Sequence, residues 1–187
     1  MPLPYAEVLT ITPDVLLRAI GHDDIAEFRQ ALVTSEDSLR PWLPYILDLK
    51  TDDDVAAYID MRIAGRIEDA TAEWIIWAEG QFAGVVNLNG IQAPNLATDI
   101  GYWLVPDAQG QGLATAAALR LLQHLFDDLQ FNRVSAWCMT ENAASRAVPV
   151  RLGMVEEAYR PQLWRVHDEF VDAVGYRMLA AEWRALA

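Results

Sequence analysis

The sequence has little of several things, and each shortage excludes a class of protein. It has one cysteine, Cys138, which cannot form an internal disulfide and cannot alone hold a zinc ion. Basic residues are also scarce, since 14 Lys and Arg stand against 27 Asp and Glu, for a net charge of −13. Such a field repels nucleic acid and anionic membranes, so neither is expected as a partner.

Long apolar runs are missing as well. Arg, Gln or Asp interrupts the longest candidates before they reach the length of a bilayer crossing. The stretch from Met1 to Pro4 has neither the basic region nor the apolar core of a secretory signal. A cytoplasmic location is therefore expected. The length and a hydrophobic fraction of 53% predict one folded domain over residues 1–187.

The acidity is concentrated in the first half of the chain. Residues 1–98 carry 16 acidic and 6 basic side chains, whereas residues 99–187 carry 11 and 8. A negative field attracts cationic partners, so a basic amine substrate would suit it. The alternative is that the acidity serves only to keep the protein soluble.

The pattern of apolar residues predicts a mixed α/β domain around one sheet. The predicted strands are residues 15–18, 73–78, 82–88, 98–105, 133–140, 155–166 and 170–180. The predicted helices begin near residues 22, 51, 112 and 142. Two prolines in residues 39–45 predict a structured loop there.

The loop between the strand at 98–105 and the following helix is the clearest indication of a ligand site. Gly110 and Gly112 permit a tight turn and a close approach of the backbone to a ligand. Backbone N–H groups of the loop and the first helical turn lack helical partners, and the helix dipole favours an anion there. No Lys–Ser/Thr pair follows, and Thr115 stands where a dinucleotide fingerprint has its third glycine. The alternative is a turn whose glycines serve geometry alone.

Gln109, Gly112 and Ala114 fit the Gln/Arg-x-x-Gly-x-Gly/Ala signature, and this segment resembles the GNAT superfamily of acyl-CoA-dependent N-acyltransferases. Other motifs resemble its RimJ/RimL branch, which acetylates ribosomal-protein N-termini. They are Gly101-Tyr102-Trp103-Leu104, Asn132-Arg133-Val134, the run from Glu141 to Ser145, Leu152-Gly153-Met154, and the loop from Leu39 to Pro44. The resemblance extends from about Leu17 to Trp183.

The resemblance implies a mixed, mostly antiparallel sheet with one splayed parallel strand pair and flanking helices. It also implies acetyl-CoA as the cofactor, no metal, and a homodimer. The pantetheine arm would enter the gap between the splayed strands and pair with backbone groups there. The residues implied in cofactor binding are Trp103, Leu104, Val105, Gln109, Gly110, Gln111, Gly112, Leu113, Ala114, Asn142 and Ser145.

The implied reaction is direct attack of a primary amine on the thioester of acetyl-CoA, with a protein N-terminus as the expected acceptor. The alternatives are a small amine such as a polyamine or aminoglycoside, another acyl-CoA, and a non-catalytic CoA-binding module. Ser145 is the candidate catalytic residue, as proton donor to the leaving thiolate, although first-turn serines often only bond the backbone. Trp42 and Tyr102 are the candidate substrate-binding residues.

The general base does not follow from the sequence. Some relatives carry a glutamate on the strand after Gly153-Met154, but Trp164 stands at that position here. Glu73, Asp99 and Glu141 are expected to be solvated charges at strand ends. A base acting through water, or no base beyond proximity, is left open.

Three histidines and one proline complete the expectations. His22, His124 and His167 are expected at the surface, and their spacing does not indicate a metal site. Pro149 is expected to kink or shorten the helix that carries the Asn142-x-x-Ser145 pattern, because proline cannot donate a helical hydrogen bond.

Overall fold

The structure is a computed structural model that describes residues 3–186. Its centre is an eight-stranded sheet in the order β1-β2-β3-β4-β5-β6-β8-β7. The strands are β1 (Val8–Thr12), β2 (Val15–Ala19), β3 (Ala72–Ala78), β4 (Gln81–Gln92), β5 (Ala97–Leu104), β6 (Arg133–Met139), β7 (Val155–Val166) and β8 (Glu169–Leu179). Only β5 and β6 are parallel among the described neighbours, which confirms the predicted mixed, mostly antiparallel sheet.

Helices flank the sheet. They are α1 (Ile25–Thr34), α2 (Glu36–Leu39), α3 (Asp52–Ile67), α4 (Leu113–Gln123), α5 (Ala143–Arg151) and α6 (Ala180–Leu186). Thr51 caps α3 by accepting the Asp54 N–H at 3.1 Å, as the polar start of this segment predicts. No described helix combines the length and the apolar character that a membrane crossing requires.

Besides the four-residue helix α2, two elements were not predicted from the sequence. β1 is an edge strand on which only Leu9 is buried, so its apolar alternation is weak. α6 follows β8 directly at Ala180, without the glycine or proline that would indicate a boundary. Both elements are short and depend on packing against the rest of the fold.

The helices divide between the two faces of the sheet. α4 and α5 cover one face, here called the α4 face, and pack on an apolar cluster that includes Leu121 and Val134. α1 and α3 cover the other, here called the α3 face, where Phe28 and Ile59 are fully buried. Because successive strand residues point to opposite faces, the central strands β3, β4 and β5 contribute side chains to both layers.

The parallel pair opens into a gap. β5 and β6 are paired over residues 97–100 and 133–136, and the last pair is Ile100 with Ala136. Beyond it, β5 stays paired with β4 as far as Leu104, and β6 with β8 as far as Met139. Residues 101–104 and 137–139 therefore diverge and leave the gap, here called the notch. The splayed parallel pair that the resemblance implied is confirmed.

Candidate active site

The loop after β5 presents backbone N–H groups to open space. Gly110 and Gly112 have φ angles of 73° and 80°, in the left-handed region that favours glycine. A Cβ at either position would meet nothing within 4 Å. α4 begins at Leu113, and the N–H groups of its first turn have no acceptor inside the helix. The loop and the helix start together offer a site for an anion.

Two glutamines brace this loop. The Gln109 side-chain amide donates to the Leu104 carbonyl at 3.2 Å, and that of Gln111 donates to the Asp107 carbonyl at 2.6 Å. The Gln109 backbone N–H is also engaged, with the Pro106 carbonyl at 3.1 Å. The N–H groups that remain for an anion therefore begin at Gly110.

The backbone of β5 faces the notch at alternate residues. Val105 donates its N–H to Ala83 on β4 at 3.0 Å. Backbone groups of successive strand residues point to opposite neighbours, so Trp103 also turns its N–H and C=O toward β4. The groups of Tyr102 and Leu104 turn toward the notch. Among the three predicted strand residues, Leu104 is thus the one whose backbone faces the notch.

The Trp103 side chain belongs to the core of the α3 face. Its ring lies 6.0 Å from that of Phe28 and 5.9 Å from that of Phe82, centroid to centroid. On β4, Gly84 allows the strand to pass close by, since a Cβ there would lie 2.2 Å from the Trp103 carbonyl oxygen. This packing fixes the arm of the notch that β5 forms.

Asn142 and Ser145 lie beside the notch, on the α4 face. Asn142 caps α5 by accepting the Ser145 N–H at 2.9 Å. The Ser145 hydroxyl donates to the Cys138 sulfur at 3.3 Å, on the divergent part of β6. Burial raises the pKa of the Cys138 thiol, so it stays protonated and is a poor nucleophile.

Pro149 lies inside α5, yet the helix extends from Ala143 to Arg151. Proline has no N–H for the carbonyl four residues earlier, which is that of Ser145. The Tyr102 hydroxyl donates to this carbonyl at 2.8 Å and replaces the missing donor. The disturbance predicted for the helix is therefore compensated by a side chain from β5.

The two predicted substrate-binding residues lie on opposite faces of the sheet. Tyr102 packs on the α4 face, and burial raises the pKa of its hydroxyl, which stays a donor to α5. Trp42 is half-buried in a segment whose neighbours Leu39 and Ile46 pack on the α3 face. The Tyr102 hydroxyl is thus engaged with α5, and the role of Tyr102 in substrate binding stays a prediction.

The segment that carries Trp42 touches the turn between β7 and β8. His167 donates its Nε2–H to the Arg40 carbonyl at 3.1 Å. Pro41 and residues 166–169 of that turn line an open depression. Asp168 and Glu169 are exposed there, and since Asp168 is paired with Arg165 at 3.0 Å, Glu169 is the acidic side chain of this edge outside that ion pair.

Glu73 is not the solvated charge that was predicted, because it is 2% exposed. The Tyr58 hydroxyl donates to its carboxylate at 2.8 Å, and Arg62 Nη2 lies 3.1 Å from it. The side-chain amide of Asn87 donates to it at 3.3 Å. Burial raises the pKa of Glu73, while these three partners oppose that shift. The partners come from α3 and β4, so no local pattern indicates them.

Asp99 also departs from the prediction, while Glu141 fits it. Asp99 is half-buried on the α3 face and paired with Ser135, two residues before the notch begins. Burial raises its pKa, and a hydrogen bond from Ser135 and the charge of Arg133 oppose the shift. Glu141 is exposed after β6. Asp99 is therefore a candidate base at the foot of the notch.

His124 is 3% exposed, so its predicted surface position is wrong. A π-helical turn, His124–Asp128, begins at this residue, and the segment before β1 covers it. Its Nε2 accepts the Ala6 N–H at 3.1 Å, and its Nδ1 donates to Asp128 at 2.7 Å. Within residues 3–186, no three His, Cys, Asp or Glu side chains are grouped as metal ligands.

The splayed parallel strands and the open N–H groups at the start of α4 form the arrangement that the resemblance implied for an acyl-CoA-dependent transferase. The profile of the Acetyltransferase (GNAT) domain matches residues 14–155, and the chain belongs to this family. It is therefore an acetyl-CoA-dependent N-acyltransferase.

Individual relatives cover almost the whole chain. YdaF of Bacillus subtilis (strain 168) is 26% identical over 174 residues, which are 92% of this chain and 95% of that protein. The ribosomal-protein-serine acetyltransferase of Escherichia coli (strain K12) is 22% identical and covers 89% and 93%. A crystal structure of RimL, a ribosomal L7/L12 alpha-N-protein acetyltransferase, superposes with a TM-score of 0.90 at 22% identity, covering 94% and 99%.

Proposed function

We propose that this chain transfers the acetyl group of acetyl-CoA to the α-amine of a protein N-terminus. The observation that carries the proposal is the meeting of Ser145 and Cys138 beside the notch, at the end of a path that starts at the open loop before α4. The Escherichia coli relative, named for acetylation of a ribosomal-protein serine, supports this acceptor class.

In this proposal the cofactor binds along the notch. The N–H groups of residues 110–114 hold the pyrophosphate, because they lack acceptors and face open space. The backbone of Leu104 and the free amide nitrogen of Asn142 contact the pantetheine arm, since the Asn142 oxygen is engaged by Ser145. Acetyl-CoA supplies the acyl group and the thiolate leaving group.

The chemistry needs one proton acceptor and one proton donor. The neutral amine attacks the thioester carbonyl carbon, the C–S bond breaks, and the thiolate takes a proton from the Ser145 hydroxyl or through it from water. The proton lost by the amine passes to Asp99 through water. The raised pKa of Asp99 makes it a stronger base than an exposed aspartate.

Cys138 lies where we propose that the cofactor thiol ends. The RimL structure holds coenzyme A in a disulfide with one of that protein's cysteines. In this chain Cys138 Sγ is 3.3 Å from Ser145 Oγ, on the diverging part of β6. This supports the placement of the thioester next to Ser145.

The acceptor side is acidic, and we propose a cationic acceptor that enters past Trp42. Exposed Asp168 and Glu169 lie beside Pro41 at the depression, within a chain of net charge −13. Attraction of a basic peptide follows from this field. A cytoplasmic location and a homodimer belong to the same proposal, by analogy with the RimJ/RimL branch.

Turnover with a panel of amines tests the function. Free-thiol release is measured with acetyl-CoA and peptides that begin with serine, followed by basic or acidic residues, and with a polyamine and an aminoglycoside. Acetylation of the basic serine peptide is expected to be fastest. If the polyamine or the aminoglycoside is acetylated faster, the acceptor is a small amine and not a protein N-terminus. If no amine causes release of free thiol, the proposed function is wrong.

A further inference from the structure

A row of polar side chains crosses the α3 face and ends at the notch. Glu73 on β3 lies opposite Asn87 on β4, and Asn87 lies opposite Gly101 on β5. Gly101 is the first residue of β5 beyond the last parallel pair, Ile100 with Ala136. The row therefore reaches the notch on the face opposite to Ser145, where an acceptor would meet the thioester.

The Asn87 side chain covers Gly101. A Cβ at Gly101 would lie 2.6 Å from Asn87 Oδ1, which is too close for any real contact. Glycine at this position thus leaves room for the Asn87 carboxamide. Asn87 is half-buried, and its amide lies over the Gly101 position, next to the point where β5 leaves β6.

The buried carboxylate of Glu73 orients this amide. An ionised carboxylate only accepts hydrogen bonds, so the Asn87 group 3.3 Å from it is Nδ2, and Oδ1 points away. Asn87 Oδ1 accepts the Asn89 side-chain amide at 2.9 Å and has a second lone pair free. Glu73 is itself held by Tyr58 at 2.8 Å. The row therefore ends in one oriented oxygen acceptor.

The oxygen at the end of the row, Asn87 Oδ1, belongs to an uncharged amide, and the charge of Glu73 behind it is balanced. Arg62, 7% exposed, neutralises Glu73 at 3.1 Å. Its Nε and Nη2 meet no hydrogen-bond acceptor of good geometry among residues 3–186. Such a buried pair stabilises a fold little compared with apolar residues, which points to a role in the site.

We infer that Asn87 binds the acceptor amine, with its Oδ1 accepting one N–H as the amine meets the thioester in the notch. Glu73 is a positioning residue that keeps the Asn87 amide in this orientation. The ligand class is a neutral primary amine, here the α-amine of a peptide. This inference rests on the proposed function and names its recognition group on the acceptor side.

The test compares Asn87→Leu with Asn95→Leu in the full chain. Asn95 is exposed, and its side chain bonds only Gln92, so its replacement leaves the site unchanged. A synthetic peptide with a free N-terminal serine is varied at saturating acetyl-CoA. Asn87→Leu is expected to raise the peptide KM about tenfold or more, because an N–H loses its acceptor. The acetyl-CoA KM is expected to change less than about twofold, which a general loss of structure would not allow.

Two further variants keep the inference testable if Asn87→Leu folds poorly. Gly101→Ala displaces the Asn87 oxygen without removing it, and Glu73→Gln lets the amide turn over, because Gln can donate as well as accept. Both are expected to raise the peptide KM by less than Asn87→Leu does. A wild type that acetylates no amine overturns the function and the inference together. An active wild type whose Asn87 and Gly101 variants match Asn95→Leu in peptide KM overturns the inference alone.

Discussion

The two faces of the sheet at the notch differ in the kind of group that they offer a ligand. On the α4 face, the site consists of backbone groups and a contiguous loop, residues 109–114, at the start of a helix. On the α3 face, it consists of side chains that meet only in the fold, among them the buried pair of Glu73 and Arg62. Backbone groups suit a ligand that is the same throughout the family, such as the pyrophosphate and pantetheine of the cofactor. Side chains can change between relatives, and so can the acceptor that they bind.

The largest effect is expected from a substitution that blocks the proposed cofactor site on the α4 face. Gly112→Trp forces a side chain into the left-handed conformation and into the open space before the loop. Acetyl-CoA binding, measured by calorimetry, is expected to weaken about 100-fold or more, or roughly 2.7 kcal/mol. Gly80→Trp is the matched control, because Gly80 has a φ of +74° and equal free space in the β3–β4 turn. Equal affinities of both variants would refute the pyrophosphate site.

Removal of the proposed proton donor separates chemistry from binding. Ser145→Ala keeps α5, since the capping bond to Asn142 uses the Ser145 backbone N–H. The kcat is expected to fall about tenfold to 100-fold, with acetyl-CoA affinity little changed. If the kcat of Ser145→Ala equals that of the wild type, Ser145 has no role in the chemistry and is an ordinary helix serine.

The candidate base predicts a pH dependence. Asp99 acts as a base only when ionised, and its pKa is raised by burial, so kcat/KM is expected to rise with pH through a pKa above the usual aspartate range. Asp99→Asn is expected to lower the plateau about tenfold and to remove this rise. If kcat/KM of Asp99→Asn still rises with pH in the same range, the rise belongs to another ionisable group.

The last prediction concerns stability and the hydrogen bond that links β5 to α5. Tyr102→Phe leaves the half-buried Ser145 carbonyl without its donor and is expected to cost about 1 kcal/mol in the free energy of unfolding. Pro149→Ala restores a helical N–H, so adding it to Tyr102→Phe is expected to recover most of this loss. Chemical denaturation of the four proteins in this double-mutant cycle measures the coupling. Additive effects would show that the hydroxyl does not compensate for Pro149.

The features that could be predicted from the sequence are those formed by contiguous residues. The loop of Gly110 and Gly112 and the start of α5 near Asn142 follow from local patterns, while the parallel pair was implied by the family resemblance. The surroundings of Glu73 do not, because its partners lie on α3 and on β4 and no spacing indicates them.

Other positions depend on the assembled fold in the same way. His124 is buried because the segment before β1 covers it, and no local pattern indicates this contact. Trp103 and Tyr102 are neighbours on a strand and face opposite ways, but only the helices that cover each side show which is which. Assembly across elements, rather than local propensity, decides these positions.

The hydrogen bond from Tyr102 to the Ser145 carbonyl has a consequence for evolutionary change. It makes a tyrosine on one strand the counterpart of a proline on a distant helix. A lineage that replaces Pro149 regains a backbone donor and loses the constraint on position 102. Among descendants of a common ancestor, positions 102 and 149 are expected to vary together, with phenylalanine tolerated at the first wherever the second is not proline.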